Sequence, residues 1–389
     1  MKSILLTTTA LVAFASAAAA DGHASISFSG NTEIGFNDTN INVLPTDDND
    51  SEDGFYWNTD IDVTMTAELD NGLTASTSFE IDVVGDPANS ATLSSDEWVT
   101  SIEGEGFGVF IGDTEFAAIT RWASAGDMEA DSFSEADGEN VIRADADIAG
   151  FGVSVSAVIT DAAQVYVSDT NGENVDQMSA GIAGDLGMFS FALAYQEEAS
   201  ATFAPVAAAA NGDYVANEVL GVSAGVSVAG ADITVAFAER TGIAPEEDAT
   251  SIGAQVAYPF GPVTVTGYFV AEEGTDGTEE DPNFGIAVAY ADGPIAVDLD
   301  FDDDQGTTKI GLDGSYDVGN GLTVLAGYYT QDNEDGSDYA DEFYVAGTYD
   351  LGGGAELLVS YAEGDDNTDD EIGGPDYQIG TTVEVSFAF

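Results

Sequence analysis

Apolar and polar residues alternate with a period of two along most of this chain. The C-terminal segment shows the pattern best. Its more apolar face consists of Tyr377, Ile379, Thr381, Val383, Val385, Phe387 and Phe389. The residues between them are polar or small. A period of two places successive side chains on opposite sides of a β-strand, so each such segment is predicted to be a strand with one apolar face and one polar face.

About twenty segments of this kind follow one another along the sequence. The first three are predicted at Ala24–Phe36, Tyr56–Leu69 and Leu73–Val84. Nine short connections carry turn residues, such as Asp70-Asn71-Gly72, and longer polar segments alternate with them. Short turns at one rim and long loops at the other are typical of a closed antiparallel β-barrel that spans an outer membrane.

The number of strands depends on whether every segment crosses the membrane. Nine short turns imply twenty strands if all of them do. Three segments are short, however, near Glu97–Glu103, Phe107–Asp113 and Ile295–Phe301. The sequence therefore predicts an all-β protein, an antiparallel transmembrane β-barrel of 16–20 strands, with a segment count that suggests up to twenty.

Acidic residues dominate the charge of the chain. There are 73 Asp and Glu residues against 5 Lys and Arg, which gives a net charge of −68. Such a surface repels polyanions, so binding to nucleic acid is excluded. High acidity alone also occurs in disordered chains, but 44% hydrophobic residues, with 21 Phe and 15 Tyr, indicate an ordered structure. The absence of cysteine excludes disulfides, thiol catalysis and cysteine metal sites.

Residues 1–20 have the features of a signal peptide. Lys2 supplies the positive charge, Ile4–Phe14 forms an apolar core, and Ala18-Ala19-Ala20 provides small residues for cleavage before Asp21. The rest of the chain contains no apolar run near the ~20 residues that a spanning helix requires. We therefore expect cleavage near Ala20, with residues 21–389 forming one barrel in the bacterial cell outer membrane.

The chain after residue 20 resembles the general diffusion porins of alphaproteobacteria, which are Gram-negative. The resemblance is carried by Ile26-Ser27-Phe28-Ser29-Gly30, by acidic loops rich in Gly, Asp and Asn, by the hairpin Tyr349–Ala355, and by the end Val383–Phe389. It implies a water-filled homotrimeric channel in outer-membrane lipid. It also implies that the terminal strand is the signal for the barrel-assembly machinery, with Val383, Val385, Phe387 and Phe389 as its apolar positions.

The resemblance also implies that the long segment from Gly112 to Glu139 folds into the lumen as a constriction loop. The chain departs from that family in two respects. Members of that family usually have sixteen strands, and they usually carry several basic residues on the wall that faces the acidic loop. Here the only basic residues after Lys2 are Arg121, Arg143, Arg240 and Lys309.

Candidate residues of the pore follow from the alternation and from the expected loop. Arg121 is expected either to line the constriction or to tie the loop down by pairing with a carboxylate. Arg143 shares a polar face with Asp145 and Asp147, and Arg240 and Lys309 also fall on polar faces, either lining the lumen or neutralising charge clusters. The candidates for constriction and lumen are Glu115, Arg121, Asp127, Glu129, Asp131, Glu135, Arg143, Asp145, Asp147, Arg240 and Lys309.

The sequence offers no sign of catalysis and no required cofactor. His23 is the only histidine and lies beside the expected cleavage site, so a histidine-based triad or histidine metal site is excluded. Ca²⁺ is an alternative ligand for acidic stretches such as Asp47–Asp50, Asp302–Asp304 and Asp365–Asn367. None of these has the spacing of an EF-hand loop, and solvated acidic loops are the simpler interpretation.

These observations predict a cation-selective channel for passive diffusion of small hydrophilic solutes and ions. Carboxylates on the polar faces lower the energy of a cation in a water-filled path and raise that of an anion. Two alternatives stay open, a substrate-specific uptake channel and an acidic surface protein or adhesin that conducts nothing. Solute-saturable conductance would indicate the first, and the absence of conductance in a bilayer would indicate the second.

Overall fold

The computed structural model describes residues 24–38, 54–84, 92–135, 140–159, 175–199, 214–242, 248–274, 277–333, 340–364, 371–372 and 377–389. Twenty strands pair into one antiparallel sheet, which closes on itself. The predicted all-β barrel is confirmed, and the strand number is the upper limit of the predicted range. The expected signal peptide, His23 and the acidic stretches Asp47–Asp50 and Asp365–Asn367 lie outside the described residues.

The strands, in chain order, are β1 (Ala24–Asn37), β2 (Gly54–Glu68), β3 (Thr74–Val84), β4 (Thr92–Gly104), β5 (Phe107–Gly112), β6 (Val141–Ile148), β7 (Phe151–Ile159), β8 (Val175–Leu186), β9 (Phe189–Gln196), β10 (Glu218–Val228), β11 (Ala231–Thr241), β12 (Ala249–Phe260), β13 (Val263–Glu273), β14 (Asn283–Asp292), β15 (Ile295–Asp304), β16 (Thr307–Gly319), β17 (Leu322–Asn333), β18 (Ala340–Gly352), β19 (Ala355–Gly364), β20 (Glu371–Ile372), β21 (Tyr377–Gln378) and β22 (Gly380–Ala388). The short strands β20 and β21 pair only with each other, and the other twenty form the barrel.

The barrel closes where the first strand meets the last. β22 pairs with β19 on one side and with β1 on the other, from Asn31 opposite Ala388 to Asn37 opposite Thr382. Gly30 and Phe389 exchange two backbone hydrogen bonds of 2.9 and 3.0 Å just beyond that ladder. Closure gives β1 and β22, the first and last strands of the barrel, a partner on both sides, and a closed sheet is the form in which strands cross a bilayer.

All nine predicted short turns are present, and they lie at one end of the barrel. Each joins an even-numbered strand of β2–β18 to the next strand. Ala149-Gly150 and Ala229-Gly230 have positive φ at both residues, which is the backbone of a type I′ hairpin turn. The connections at the other end are mostly longer. β15 and β16 are the exception, because only Gln305 and Gly306 separate them.

The alternation in the sequence becomes the two faces of the wall. Large apolar side chains such as Ile252, Phe269 and Leu312 project outward and are exposed on the isolated barrel. Tyrosines at the outer rim join this apolar band to polar residues, since the hydroxyls of Tyr195 and Tyr361 donate hydrogen bonds to Glu218 and Glu363. Aromatic residues at the interface are expected of a membrane barrel.

Two local expectations from the sequence were wrong. Tyr377 and Ile379 were expected on the apolar face of the last strand, but that strand begins only at Gly380, whose φ of 99° turns the chain. Asp302–Asp304 was expected in a loop, but these residues end β15 because a two-residue turn follows them.

The described part of the chain contains no helix that is long and apolar enough to cross a membrane.

Candidate functional site: a pore loop on the inner wall

The chain leaves the wall after β5, the shortest strand of the barrel. β5 has six residues and ends at Gly112, which pairs with Val99 on one side and with Val141 on the other. Neighbouring β4 begins seven residues before Val99, at Thr92. The wall is therefore low at this position, and residues 113–135, which we call the pore loop, pass from there into the lumen. Asp137 and Glu139 lie outside the described residues.

The first half of the pore loop is attached to β7 and β8. The backbone N–H of Ala117 donates a hydrogen bond of 2.9 Å to the hydroxyl of Ser156, and that of Ala118 donates one of 3.2 Å to Ser179. The two serine hydroxyls also bond each other at 2.8 Å. These hydroxyls face the lumen by the same alternation that sends Val155 outward, so the loop lies on the inner wall.

The second half of the loop continues along β12, β13 and β14. Ala130 N–H donates to the hydroxyl of Ser251 at 2.9 Å, and Gly126 N–H donates to Oε1 of Gln255 at 3.1 Å. The N–H of Glu129 donates to Oε1 of Glu272 at 3.2 Å. The side chain of Asn283 donates to the carbonyl of Asp127 at 3.0 Å. Wall side chains thus satisfy loop backbone groups that would otherwise need water.

Glycines on the inner wall make room for the loop. A Cβ atom at Gly253 would collide with the carbonyl oxygen of Ala125, and one at Gly221 would lie 2.5 Å from the Trp122 ring. A Cβ atom at Gly181 would lie 2.6 Å from the Cβ of Arg121. The loop backbone therefore approaches the wall as closely as it does because these three inward positions lack side chains.

The side of the loop that faces the wall packs against it through apolar residues. Phe133 and Ala118 pack against Ala194 and Val219, and Ala125 and Ala130 pack against residues of β11 and β13. Trp122 lies over Phe133, with ring centroids 5.7 Å apart. Its indole N–H donates a hydrogen bond of 2.8 Å to Oδ2 of Asp131. This contact buries apolar surface inside a polar lumen and holds the loop in place.

Desolvation raises the pKa of three loop carboxyls, those of Asp127, Glu129 and Asp131. Desolvation raises the pKa of Asp131 to about 6, although the hydrogen bond from Trp122 opposes the shift. Desolvation, together with the Asp304 and Asp127 carboxylates, also raises the pKa of Glu129. Glu115, Asp127 and Glu135 are exposed and carry the acidic surface of the loop.

Arg121 and Arg143 support the first half of the loop. The Nε of Arg121 donates to the hydroxyl of Ser154 at 2.8 Å, so the contact that ties it to the wall is with a hydroxyl rather than with a carboxylate. Arg143 donates through Nη1 to the backbone carbonyl of Glu115 at 2.8 Å and pairs with Asp145 at 3.2 Å. Its guanidinium also lies 4.7 Å from the centre of the Phe110 ring.

Arg240 and Lys309 lie near the second half. Nη1 of Arg240 donates to the carbonyl of Glu129 at 2.9 Å and to the hydroxyl of Ser132 at 3.3 Å. Lys309 forms an ion pair of 2.8 Å with Asp304. Arg143 and Arg240 therefore hold the loop from the wall by its backbone carbonyls, whereas Arg121 belongs to the loop itself.

The remaining candidates lie apart from the loop. Asp147 is exposed on the inner face of β6, near the turn that follows it. The side chains of the expected assembly signal are on β22 or at its end, and Val383 and Phe387 project outward, exposed on the isolated barrel. On β2 and β3, carboxylate oxygens of Asp60, Glu80 and Asp82 come within 4.8 Å of one another on the inner face.

Comparison with known proteins decides the family. The family model for Gram-negative porins matches residues 7–370. The chain belongs to the Gram-negative porin family. Porins of this family are diffusion channels of the outer membrane and are not enzymes, so this porin is an outer-membrane channel. No curated protein matches the chain.

Among solved structures, this porin is similar to mutants of the Rhodopseudomonas blastica porin. One is 16% identical and has a TM-score of 0.45, and the match covers 94% of this chain and 100% of that chain. A triple mutant of the same porin is 17% identical, with the same coverage and the same TM-score.

Sequence reasoning missed the wall partners of the pore loop. Ser154, Ser156, Ser179, Ser251 and Gln255 are ordinary polar residues of alternating strands, and they acquire a role only because the loop lies on them. Small residues at alternate positions were the available signal, as in Gly152-Val153-Ser154-Val155-Ser156 of β7. A polar face made only of Gly and Ser leaves space that something else must fill.

Proposed function

We propose that this porin passes small hydrophilic solutes and ions by passive diffusion and that it favours cations. The proposal rests on one observation, the distribution of its basic residues. Arg121 belongs to the pore loop, Arg143 and Arg240 lie beside it, and Lys309 is paired with Asp304. No Lys or Arg occurs in the sequence from residue 3 to residue 120 or from residue 310 to residue 389. The walls built from β1–β5, β17–β19 and β22 therefore carry no positive side chain.

Exposed carboxylates line the lumen both on the pore loop and on the barrel wall. Glu115, Asp127 and Glu135 are exposed on the loop, and Asp298 is exposed on the inner face of β15. Asp298 lies directly opposite Asp313 on β16. Carboxylates along a water-filled path lower the energy of a cation and raise that of an anion. At 0.15 M salt the screening length is about 8 Å, so the charges nearest the narrowest part of the pore contribute most.

A planar bilayer tests the proposal. In a low-salt KCl gradient the reversal potential should show preference for K⁺ over Cl⁻, and the preference should fall as salt is raised. A reversal potential that favours Cl⁻ at low salt would contradict the charge assignment. Conductance that saturates with one solute would instead favour a substrate-specific channel, and no conductance would favour a surface protein or adhesin.

The assembly of this porin is part of the same proposal. We propose that residues 1–20 are removed near Ala20, that the barrel-assembly machinery inserts the chain through the signal that ends in Phe389, and that the channel works as a homotrimer. The resemblance to alphaproteobacterial porins supports these steps. Size-exclusion chromatography with light scattering would show the trimer, and N-terminal sequencing would show the cleavage site.

A further inference from the structure

The inner wall is covered in a second place, away from the pore loop. Seven inward-facing residues on four neighbouring strands, β18, β19, β22 and β1, are almost fully buried. They are Glu342, Tyr344, Ala346, Ser360, Ala362, Thr382 and Asn37. An inward side chain in an open lumen stays exposed, as Asp298 on β15 does. This sector, which we call the seam wall, must therefore be covered from the lumen side.

Tyr377 is a residue that covers the seam wall. Its ring lies over that of Tyr344, with centroids 4.7 Å apart and planes inclined by 44°. Tyr377 is 6% exposed and belongs to one apolar cluster with Tyr344, Ala346 and Ala362, of which Tyr344 is 2% and Ala362 1% exposed. An aromatic pair of this geometry contributes beyond the area that it buries.

Tyr344 is a rigid support for that contact. Its ring lies over Gly327 of β17, where a Cβ atom would collide with it, and its hydroxyl donates a hydrogen bond of 2.6 Å to Asp313 of β16. Leu325 and Leu358 pack against the same cluster from β17 and β19. An inward tyrosine, two inward leucines and two inward alanines form an apolar patch on a face that is otherwise polar.

The chain after Tyr377 follows the same wall. Ile379 packs against the cluster, and the side chain of Asn37 donates to its carbonyl at 3.0 Å. β21 pairs with β20 and not with the barrel, with Ile372 opposite Tyr377. Residues 377–379 therefore form a layer on the lumen side of β18, β19 and β1 before Gly380 returns the chain to the wall.

We propose that residues 377–379 form a second narrowing element of the pore and that Tyr377 is the residue that positions it. The proposal rests on the proposed channel function. The pore loop lies against β7–β14 and Tyr377 against β17–β19, so the two elements occupy different sectors with β15 and β16 between them. Each element therefore reduces the cross-section of the lumen independently, and the paired carboxylates Asp298 and Asp313 lie on the strands between them.

Thiol labelling tests the cover directly, because the natural chain has no cysteine. Ala362→Cys places a reporter under Tyr377, Ala194→Cys places one under the pore loop, and Asp298→Cys gives the rate at an open lumen position. In the parent, Ala362→Cys and Ala194→Cys should both react with a water-soluble methanethiosulfonate at least about tenfold more slowly than Asp298→Cys. Equal rates at Ala362→Cys and Asp298→Cys would overturn the proposal.

Substitutions of Tyr377 show whether its ring protects the wall beneath it or only stabilises the barrel as a whole. Adding Tyr377→Ala should accelerate labelling of Ala362→Cys at least about tenfold, since a buried ring is deleted, and should leave Ala194→Cys unchanged. Tyr377→Phe should keep the protected rate. Labelling is measured on the folded, heat-modifiable form. If Tyr377→Ala does not fold, Tyr377→Leu keeps the apolar bulk without the stack and should give an intermediate rate.

Conductance then tests the narrowing. Tyr377→Ala should show higher single-channel conductance than the parent and admit larger sugars in a liposome-swelling assay, and Tyr377→Phe should match the parent. Faster labelling with unchanged conductance and size limit would overturn the narrowing role. A parent that conducts nothing would contradict the proposed channel function, whereas the labelling comparison would still decide whether Tyr377 covers the wall.

Discussion

The Nε atom of Arg121 donates its hydrogen bond to the hydroxyl of Ser154, on the inner wall of β7, at 2.8 Å. One terminal nitrogen of the guanidinium also lies close to Gly152, two residues earlier on the same face. The positive charge is therefore held against the wall that supports the pore loop. Arg121 serves both as an anchor of the loop and as one of few positive charges in the lumen.

The two roles of Arg121 can be separated with Ser154. Arg121→Ala removes both the charge and the anchor, so the reversal potential in a low-salt KCl gradient should shift toward stronger cation preference. Ser154→Ala removes only the acceptor, so selectivity should stay at the parent value while the loop loses about 1.5–3 kcal/mol of attachment, the usual range for a hydrogen bond from a charged group. Equal shifts in reversal potential for the two variants would show that the charge itself has no effect.

The close approach of the loop to the wall predicts that alanine substitutions at two inward glycines have very different effects on the stability of the barrel. Gly253→Ala places a methyl group against the carbonyl oxygen of Ala125 and should displace the loop, at a cost of about 1–3 kcal/mol. Gly311→Ala is the matched control, because the nearest atom to its added Cβ is 3.9 Å away. Urea unfolding of the refolded barrel measures both. A Gly253→Ala barrel as stable as Gly311→Ala would contradict the observed loop position.

The raised pKa of Asp131 predicts a pH dependence of stability. Its pKa is about 6 in the folded protein against 3.8 for the free side chain, so the folded state binds more protons between these values and stability falls as pH rises through that window. Asp131→Asn keeps an acceptor for the Trp122 N–H but carries no charge. It should match the parent at pH 3.5 and exceed it at pH 7.5, by up to about 3 kcal/mol for a shift of this size. A difference of the same size at both pH values would show that Asp131 does not titrate in this way.

The two faces of β2 predict opposite responses to a new charge. Val63 belongs to the outward face near the middle of the strand, where it lies opposite the exposed Phe28 of β1 and is itself covered by its neighbours, and Thr64 faces the lumen. Val63→Arg places a cation in lipid and should cost about 2–4 kcal/mol of barrel stability, whereas Thr64→Arg should cost far less. Unfolding in lipid vesicles gives both values. Equal penalties would indicate a soluble sheet instead of a membrane barrel.

Phe389 links the expected assembly signal to the closure of the barrel. Its backbone exchanges two hydrogen bonds with Gly30 at the junction of β1 and β22. Deleting Phe389 should therefore reduce the amount of folded, heat-modifiable porin in the outer membrane severely. Phe389→Tyr keeps an aromatic ring and the backbone bonds, and it should accumulate like the parent. Normal accumulation of the deletion variant would exclude a role for this residue in assembly.

The sequence by itself determined the barrel. Alternation within strands fixes which side chains face out, because a strand has a period of two and any slip would put charge into lipid. The short turns were also determined by local sequence, because Ala149-Gly150 and Asp70-Asn71-Gly72 each close a hairpin through their own backbone preferences. The short segments at β4, β5 and β15 left the count open from the sequence, because strand length alone does not show whether a segment pairs on both sides.

What lies inside the barrel was decided only by the tertiary structure. The sequence put Arg121 in the expected constriction loop, but it did not show which wall residues, such as Ser156 and Gly253, the loop would contact. Contacts such as Ala130 with Ser251 join residues that are 121 positions apart. Tyr377 shows the limit most clearly, because the sequence continues the alternation of the last strand through it, whereas the turn at Gly380 and the buried contact with Tyr344 draw it into the lumen. Local periodicity specifies the wall, and long-range packing inside the closed barrel decides what narrows the pore.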